Sequence, residues 1–182
     1  MNVRVAQFSI KKQSWVISDD CFVHNIKESW VKGRTVMTRI NILYASTEGN
    51  TQSFVDKLKT IAESNGDQLD ARMIGDETEY ANETAPYVAI VPTYLTGGTG
   101  TGSDVVENFT NALGEYIEFG RNSYYLKGVI GSGNRNFNVQ FNLTALRYAD
   151  KFKVPMLFAY ELRGSRFDAE KAYNIMKPLF GG

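Results

Sequence analysis

The sequence predicts an α/β fold, a doubly wound, five-stranded parallel sheet with helices packed on both faces. Five short apolar runs typical of buried strands follow one another after Met37, and helical stretches lie between them. Strands alternating with helices over short connections are typical of a parallel sheet covered on both sides. A hydrophobic content of 43% with only four prolines fits a chain that buries such a core.

The elements of this sheet are predicted in order along the chain. The strands are residues 40–45, 69–74, 87–92, 126–131 and 155–160. The helices are residues 51–64, 105–113, 141–152 and 168–179. In the first helix Phe54, Leu58 and Ile61 recur at i, i+4 and i+7, which is an apolar stripe for packing on the sheet. Thr51 stands in its N-cap or first turn. The acidic stretch 76–83 is predicted to be a solvated connection.

Residues 1–36 differ from the rest of the chain in charge. Residues 1–36 hold six basic and three acidic residues, a net charge of +3. Residues 37–182 hold the other 14 basic and 17 acidic residues, a net charge of −3. We predict that residues 37–182 form the domain and that residues 1–36 are an extension, dispensable or poorly ordered. Alternating apolar residues near its start leave an accessory hairpin as the alternative.

The distribution of reactive residues excludes several kinds of active site. Cys21 and His24, the only cysteine and the only histidine, both precede Met37. A Cys–His pair, a Ser–His–Asp triad and a zinc site of the usual ligands therefore cannot be built from the main body. We predict neither a metal site nor a catalytic side chain, so that a bound cofactor must carry any chemistry.

Charge and hydropathy bear on partners and location. Basic and acidic residues balance, so charge gives no reason to expect nucleic acid or a membrane as partner. No apolar run approaches the ~18 residues that span a bilayer, and the first residues lack the apolar core of a signal peptide. A single cysteine gives no disulfide framework. We therefore predict a cytoplasmic protein.

Three polar loops follow predicted strands, and the first predicts a phosphate site. Ser46-Thr47-Glu48-Gly49-Asn50-Thr51 leads into the first helix, where backbone N–H groups and the helix dipole bind phosphate. The loop lacks the lysine of a Walker motif and the glycine pattern of a dinucleotide fingerprint. A phosphate monoester held without a metal fits best, and the alternative is an ordinary N-capped turn.

The second and third loops predict a site for a flat ring. Residues 93–102 begin with Thr93 and Tyr94 and contain four glycines, and residues 132–138 offer amides and the aromatic Phe137. For each loop the alternative is an ordinary surface loop. In a doubly wound sheet, ligands bind beyond the carboxyl ends of strands where the strand order reverses. A phosphate cradle and two ring-binding loops at that edge together predict an FMN site.

Three motifs make the domain similar to a known family. They are VPTYLTGGTGTG at residues 91–102, GVIGSGNRNFN at residues 128–138 and YELRG at residues 160–164. On these motifs the domain resembles the flavodoxins and, more narrowly, the NrdI family of flavodoxin-like proteins that accompany class Ib ribonucleotide reductases. The resemblance runs from Met37 to about Leu179, and GSGNRNFN is its most discriminating part. It implies a flavodoxin-like fold with FMN at the edge where the strand order reverses.

The resemblance also implies a role and a set of FMN-binding residues. Reduced FMN reacts with oxygen, and the oxidant reaches the dimanganese site of the partner, the radical-bearing small subunit of class Ib ribonucleotide reductase, where it drives assembly of the metal–tyrosyl radical cofactor. A reductant that the sequence does not identify supplies the electrons. The predicted cofactor-binding residues are Ser46, Thr47, Glu48, Gly49, Asn50, Thr51, Pro92, Thr93, Tyr94, Leu95, Gly97, Gly98, Ser132, Gly133, Asn134, Asn136 and Phe137.

Several residues qualify this resemblance. Flavodoxins usually have a threonine where Glu48 stands, and a carboxylate beside a phosphate dianion is unfavourable, so we expect Glu48 to point to solvent. The glycine-rich loop after Tyr94 is long for an electron carrier, and we expect oxygen or the partner to gain access there. Arg135 either places charge near the flavin or docks a partner, or it is a solvated surface residue. Arg163 is interpreted as structural.

Other functions compete with this one. A general electron-transfer flavodoxin typically surrounds the flavin with carboxylates, which disfavour the reduced anion, whereas loops 93–102 and 132–138 contain no acid. A phosphoacceptor receiver domain needs an aspartate and a lysine where this chain has Thr93 and Glu161. A quinone reductase needs a second substrate pocket, which nothing in the sequence marks.

Overall fold

A computed structural model of the chain describes residues 37–96, 105–107 and 110–181. The predicted extension, residues 1–36, lies outside these residues and stays a prediction. Of the helices in the described ranges, none is both long enough and apolar enough to cross a membrane. The described elements, in chain order, are β1 (Arg39–Tyr44), α1 (Asn50–Ser64), β2 (Gln68–Met73), β3 (Tyr87–Pro92), β4 (Leu95–Thr96), β5 (Val106–Glu107), α2 (Asn111–Glu118), α3 (Asn122–Tyr125), β6 (Leu126–Gly133), a 3₁₀ stretch (Arg135–Gln140), α4 (Leu143–Phe152), β7 (Met156–Glu161), α5 (Arg166–Met176) and a 3₁₀ stretch (Lys177–Leu179).

The five longer strands form one parallel sheet in the order β2-β1-β3-β6-β7. This order confirms the predicted flavodoxin-like sheet, and each predicted strand lies within two residues of the observed one. The order reverses between β1 and β3, because β2 pairs on one side of β1 and the chain returns to pair β3 on the other. All six residues of β3 are buried, as expected of a central strand covered on both faces.

Helices cover both faces of the sheet. The helices α1 and α5 pack over one face, and α2 and α4 pack over the other. Successive side chains of a strand point to opposite faces, so the adjacent residues Ile42 and Leu43 belong to different halves of the core. Burying one such apolar side chain stabilises the folded state by roughly 1.5–3 kcal/mol relative to leaving it exposed.

The helix α1 follows the loop after β1 and confirms the predicted apolar stripe. Phe54, Leu58 and Ile61 are all buried against the sheet. The ring of Tyr160, at the end of β7, stacks on Phe54 with centroids 3.7 Å apart and planes 13° from parallel. This stack fixes the start of α1 against the carboxyl end of the sheet.

The predicted helix at residues 105–113 is wrong. Val106–Glu107 is strand β5, which pairs antiparallel with β4, and α2 begins only at Asn111. The β-branched pair Val105 and Val106 favours an extended chain, and the buried residues of α2 lie further along. In this pairing Leu95 lies opposite Glu107 and Thr96 lies opposite Val106.

Two other helices begin at different residues from those predicted, and their N-cap residues explain the difference. The helix α4 starts at Leu143 because Asn142 is left-handed, with φ of 58°. The helix α5 starts at Arg166, where the Ser165 hydroxyl accepts from the N–H of Asp168 and the Asp168 carboxylate accepts from the N–H of Ser165.

The prediction of a solvated acidic stretch is wrong for its last residue, Glu83. Its carboxylate pairs with Arg72 and accepts a hydrogen bond from the Tyr116 hydroxyl at 2.8 Å. Its backbone N–H donates to the side-chain oxygen of the buried Asn122 at 2.7 Å. These contacts hold the end of the stretch against α2 and α3.

Candidate functional site

The loops after β1, β3, β6 and β7 meet at the carboxyl edge of the sheet, where the strand order reverses. Backbone hydrogen bonds tie the first residues of two of these loops to neighbouring strands. The Ala45 N–H donates to the Ile90 carbonyl at 3.2 Å, and the Thr93 N–H donates to the Ser132 carbonyl at 2.8 Å. Three of these four loops are those predicted to form the site.

The loop after β1 presents a row of backbone donors. Gly49 is the N-cap of α1 and is left-handed, with φ of 75°, a conformation that glycine adopts without strain. A Cβ built on Gly49 would meet nothing within 4 Å, so the loop surface is open. Among the hydrogen bonds of the described residues, none uses the backbone N–H groups from Ser46 to Thr51. Such a row at a helix N-terminus is suited to an anion.

The side chains of this loop divide between surface and interior. Glu48 is exposed, as expected for a carboxylate beside an anion site. The Ser46 hydroxyl accepts from the Gln52 N–H at 3.3 Å. Thr51 is buried, and its hydroxyl lies beside the phenol of Tyr160. Burial raises the pKa of Tyr160, and the neighbouring hydroxyls of Ser132 and Thr51 oppose this only in part, so the phenol stays protonated.

The loop after β3 places two predicted residues at the edge of a cavity. The Thr93 hydroxyl is buried and has no hydrogen-bond partner among the described residues. Burial and the nearby carboxylate of Glu48 raise the pKa of Tyr94, although the Asn50 side chain opposes the shift. Tyr94 is therefore a neutral donor at the boundary between the first two loops. Gly97 and Gly98 lie outside the described residues, and their predicted role stays a prediction.

The loop after β6 lies across the same cavity from the loop after β3. The Asn134 side chain caps the 3₁₀ stretch by accepting from the Asn136 N–H at 2.9 Å. Phe137 is 60% exposed, while Asn136 lies on the open surface. Arg135 lies 3.7 Å from the Glu161 carboxylate and 4.8 Å from the ring centre of Phe141, so its charge is partly offset.

A cavity of about 130 Å³ lies between these two loops. Its lining residues are Thr93, Tyr94, Leu95, Asn134, Phe137 and Gln140. Five of the six were predicted, and Gln140 was missed because it follows the quoted motif. None of the described lining residues carries a carboxylate or an amine, which suits binding by shape, ring contact and neutral hydrogen bonds. Ser132, also predicted, is instead buried under the edge beside Tyr160.

The segment Glu161–Gly164 after β7 connects the other loops and was not predicted as part of the site. The Leu162 N–H donates to the Gly133 carbonyl at 3.0 Å, and Arg163 Nε donates to Asn50 Oδ1 at 2.8 Å. Gly164 is left-handed, with φ of 58°, and packs against Phe54. The signal was the YELRG motif, which supported the family resemblance and in which only Arg163 was interpreted, as structural.

The arrangement has two adjacent parts with different chemistry. The N–H row of residues 46–51 suits a phosphate, and the neutral cavity with Tyr94 and Phe137 suits a flat ring. Asn50 lies at the first part, and its side chain reaches Tyr94 at the second. An orphaned buried hydroxyl at Thr93 is a ready partner for a ring nitrogen or oxygen. A ligand with a phosphate and a flat polar ring fits both parts.

Comparison with known proteins identifies the family of this chain. A family model described as NrdI flavodoxin-like matches residues 42–174. An NrdI-like protein of Streptococcus pneumoniae is 37% identical over 150 residues, which cover 79% of this chain and 96% of that one. An NrdI-like protein of Streptococcus pyogenes is 43% identical over 145 residues, which cover 77% and 93%.

The similarity to solved structures concerns the fold. A short-chain flavodoxin associated with a non-canonical PDU bacterial microcompartment superposes with a TM-score of 0.57. It is 18% identical, and the match covers 79% of this chain and 97% of that one. At this identity the match supports the flavodoxin-like architecture and nothing finer.

Proposed function

The chain belongs to the NrdI family of flavodoxin-like proteins, and from this premise we propose that it binds FMN at the carboxyl edge of its sheet. We propose further that the loaded, reduced protein supplies the oxidant that assembles the dimanganese–tyrosyl radical cofactor of class Ib ribonucleotide reductase. Its partners are then the radical-bearing small subunit of that reductase and a separate reductant. Both belong to the cytoplasm, where we place this protein.

One observation carries the proposal of FMN: the N–H groups of residues 46–51, which have no partner among the described residues, adjoin a cavity edged by Tyr94 and Phe137. The two parts match the phosphate and the ring of FMN in kind. Thr93 adds a buried hydroxyl without a partner, which a polar ring edge would satisfy. The residues present therefore fit the cofactor.

Bound FMN would supply the electron transfer and the reaction with oxygen that the described side chains cannot. The chain's own residues bind and orient. Backbone N–H groups of residues 46–51 hold the phosphate, Tyr94 and Phe137 flank the ring, and Thr93 and Asn134 offer hydrogen bonds to its edge. Phe137 is largely exposed, so a small oxidant or a partner would have access to the cavity on that side.

The neutral cavity lining distinguishes this proposal from a general electron-transfer flavodoxin, the second candidate. Carboxylates close to a flavin disfavour its fully reduced anion by repulsion between like charges. None of the described lining residues carries a carboxylate. The exposed Glu48 belongs to the phosphate loop, although its carboxylate lies near enough to Tyr94 to raise the pKa of that phenol. Arg135 contributes little, since Glu161 lies beside it. A neutral lining favours full reduction, which the oxygen reaction needs.

The test follows radical assembly directly. The FMN-loaded protein is reduced without oxygen and mixed with the manganese-loaded radical subunit, oxygen is admitted, and tyrosyl radical is followed by electron paramagnetic resonance. Free reduced FMN at the same concentration is the control. We expect radical only with this protein. Tight FMN binding and clean reduction without radical would instead assign the protein to general electron transfer, and failure to bind FMN would overturn both candidates.

A further inference from the structure

The phosphate-binding loop contains no cation of its own. Its only charged residue is Glu48, a carboxylate, so the loop attracts an anion through its six N–H groups, which have no partner in the part of the chain that the structure describes. An arginine far along the chain, Arg163, forms a hydrogen bond with this loop. Arg163 Nε donates to Asn50 Oδ1 at 2.8 Å, and Asn50 is the first residue of α1.

Arg163 is held in place by its backbone. Lys57 Nζ lies 3.2 Å from the Arg163 carbonyl, 3.2 Å from the Ser53 carbonyl and 2.9 Å from the Ser53 hydroxyl. An ammonium has three N–H donors, so these contacts use all of them. On either side of Arg163, Leu162 and Gly164 are left-handed, with φ of 52° and 58°. The turn therefore fixes the point from which the guanidinium extends.

The guanidinium itself keeps most of its hydrogen-bonding capacity. It has five N–H donors and uses the one on Nε for Asn50. No carboxylate among the described residues lies within ion-pair distance of Arg163, whereas neighbouring Arg135 and Arg166 pair with Glu161 and Glu170. Four N–H donors and an uncompensated positive charge thus stand beside the start of α1.

On these contacts we propose that Arg163 is a specificity-determining residue that binds the cofactor's phosphate and makes the site prefer FMN to riboflavin. The inference rests on the proposed FMN site. Asn50 orients Arg163 through Nε, which leaves the remaining N–H donors for the phosphate. A guanidinium suits this role because its forked donors match phosphate oxygens.

The test compares two flavins that differ only by the phosphate. Apoprotein is titrated with FMN and with riboflavin, and binding is followed by flavin fluorescence. We expect Arg163→Ala to weaken FMN binding about tenfold, the scale of a hydrogen bond to a charged group, and to leave riboflavin binding unchanged. Arg163→Gln should behave in the same way, and Arg163→Lys should recover part of the loss. Arg166→Ala, which removes an exposed arginine paired with Glu170, is the matched control.

A second readout follows the charge of the phosphate. A phosphate monoester gains its second negative charge near pH 6, so wild-type affinity for FMN should rise from pH 5 to pH 7. This rise should be smaller in Arg163→Ala. Equal losses for both flavins, or no loss for FMN, would overturn the role of Arg163 while leaving the FMN site intact. A wild-type protein that binds neither flavin would overturn the proposed function itself.

Discussion

The ammonium of Lys177 lies 2.7 Å from a carboxylate oxygen of Asp67, whose side chain has no exposed surface. The same carboxylate accepts hydrogen bonds from the Thr38 N–H at 3.0 Å and from the Tyr173 hydroxyl. Burial alone would raise the pKa of Asp67, but the bonds from Lys177, Tyr173 and Thr38 outweigh it and lower the pKa. The beginning of the domain is thereby tied to its last helix.

The first prediction concerns acid stability. The pKa of Asp67 is lower in the folded state than its unfolded-state value of 3.8, so the ionised carboxylate stabilises the fold. This stabilisation is fully present above the unfolded-state pKa and is lost as pH falls through the folded-state pKa. We expect Asp67→Asn to lower the free energy of unfolding at pH 7 by about 2 kcal/mol and to flatten its fall below pH 4. Urea unfolding at pH 7, 5, 4 and 3 measures both.

The control for Asp67 is Asp150→Asn, because Asp150 forms an exposed ion pair with Lys153. Exposed pairs contribute little, so this variant should keep the stability of the wild type at pH 7. An Asp67→Asn variant whose stability falls as steeply below pH 4 as that of the wild type would assign the acid sensitivity to other carboxylates.

The second prediction concerns the turn after β7. Gly164 is left-handed, and a Cβ there would lie 2.6 Å from Phe54 Cδ2 and 3.0 Å from Tyr160 Cδ2. Gly164→Ala should lower the free energy of unfolding by about 3 kcal/mol, since it adds backbone strain to overpacking. At Gly75 a Cβ would meet nothing within 4 Å, so Gly75→Ala should lower the free energy of unfolding much less. Equal losses of urea stability in the two variants would refute the packing argument.

The third prediction separates binding from stability at buried hydroxyls. Thr93 Oγ1 and Thr144 Oγ1 are both buried without partners among the described residues, but only Thr93 lines the cavity. Replacing either by valine removes an unsatisfied group and should keep or raise the melting temperature. Thr93→Val should also weaken FMN binding by roughly threefold to tenfold, the worth of one hydrogen bond. Thr144→Val should leave the affinity for FMN unchanged. If the two variants change that affinity equally, the hydroxyl of Thr93 lies outside the ring site.

The fourth prediction concerns the exposed aromatic side of the cavity. Phe137 is 60% exposed, so Phe137→Ala should change the melting temperature little. If its ring flanks the flavin, FMN and riboflavin binding should both weaken by about tenfold, since an aromatic contact adds ~0.5–1.5 kcal/mol beyond the area it buries. Phe167, which is 61% exposed and lies on α5, gives the matched control Phe167→Ala. Unchanged flavin affinity in Phe137→Ala would remove Phe137 from the site.

Much of the site was predictable because it follows directly from local sequence. Residues 46–51 come at once after a strand and before a helix, so their N–H groups were expected at a helix N-terminus. Thr93 and Tyr94 come at once after a buried strand and were expected at the same edge. Gln140 and the segment Glu161–Gly164 were missed, since their positions depend on how the chain folds back.

The sequence by itself determined the five strands, the stripe of α1 and the order of loops at the sheet edge. These follow from periods of two and 3.6 residues and from short connections, which are properties of neighbouring residues. The tertiary structure alone decided that Glu83 packs against Arg72 and Tyr116, that residues 106–107 are strand, and that Arg163 reaches Asn50, 113 positions away. The reason is that such contacts join groups whose separation in sequence carries no information about their distance in the fold.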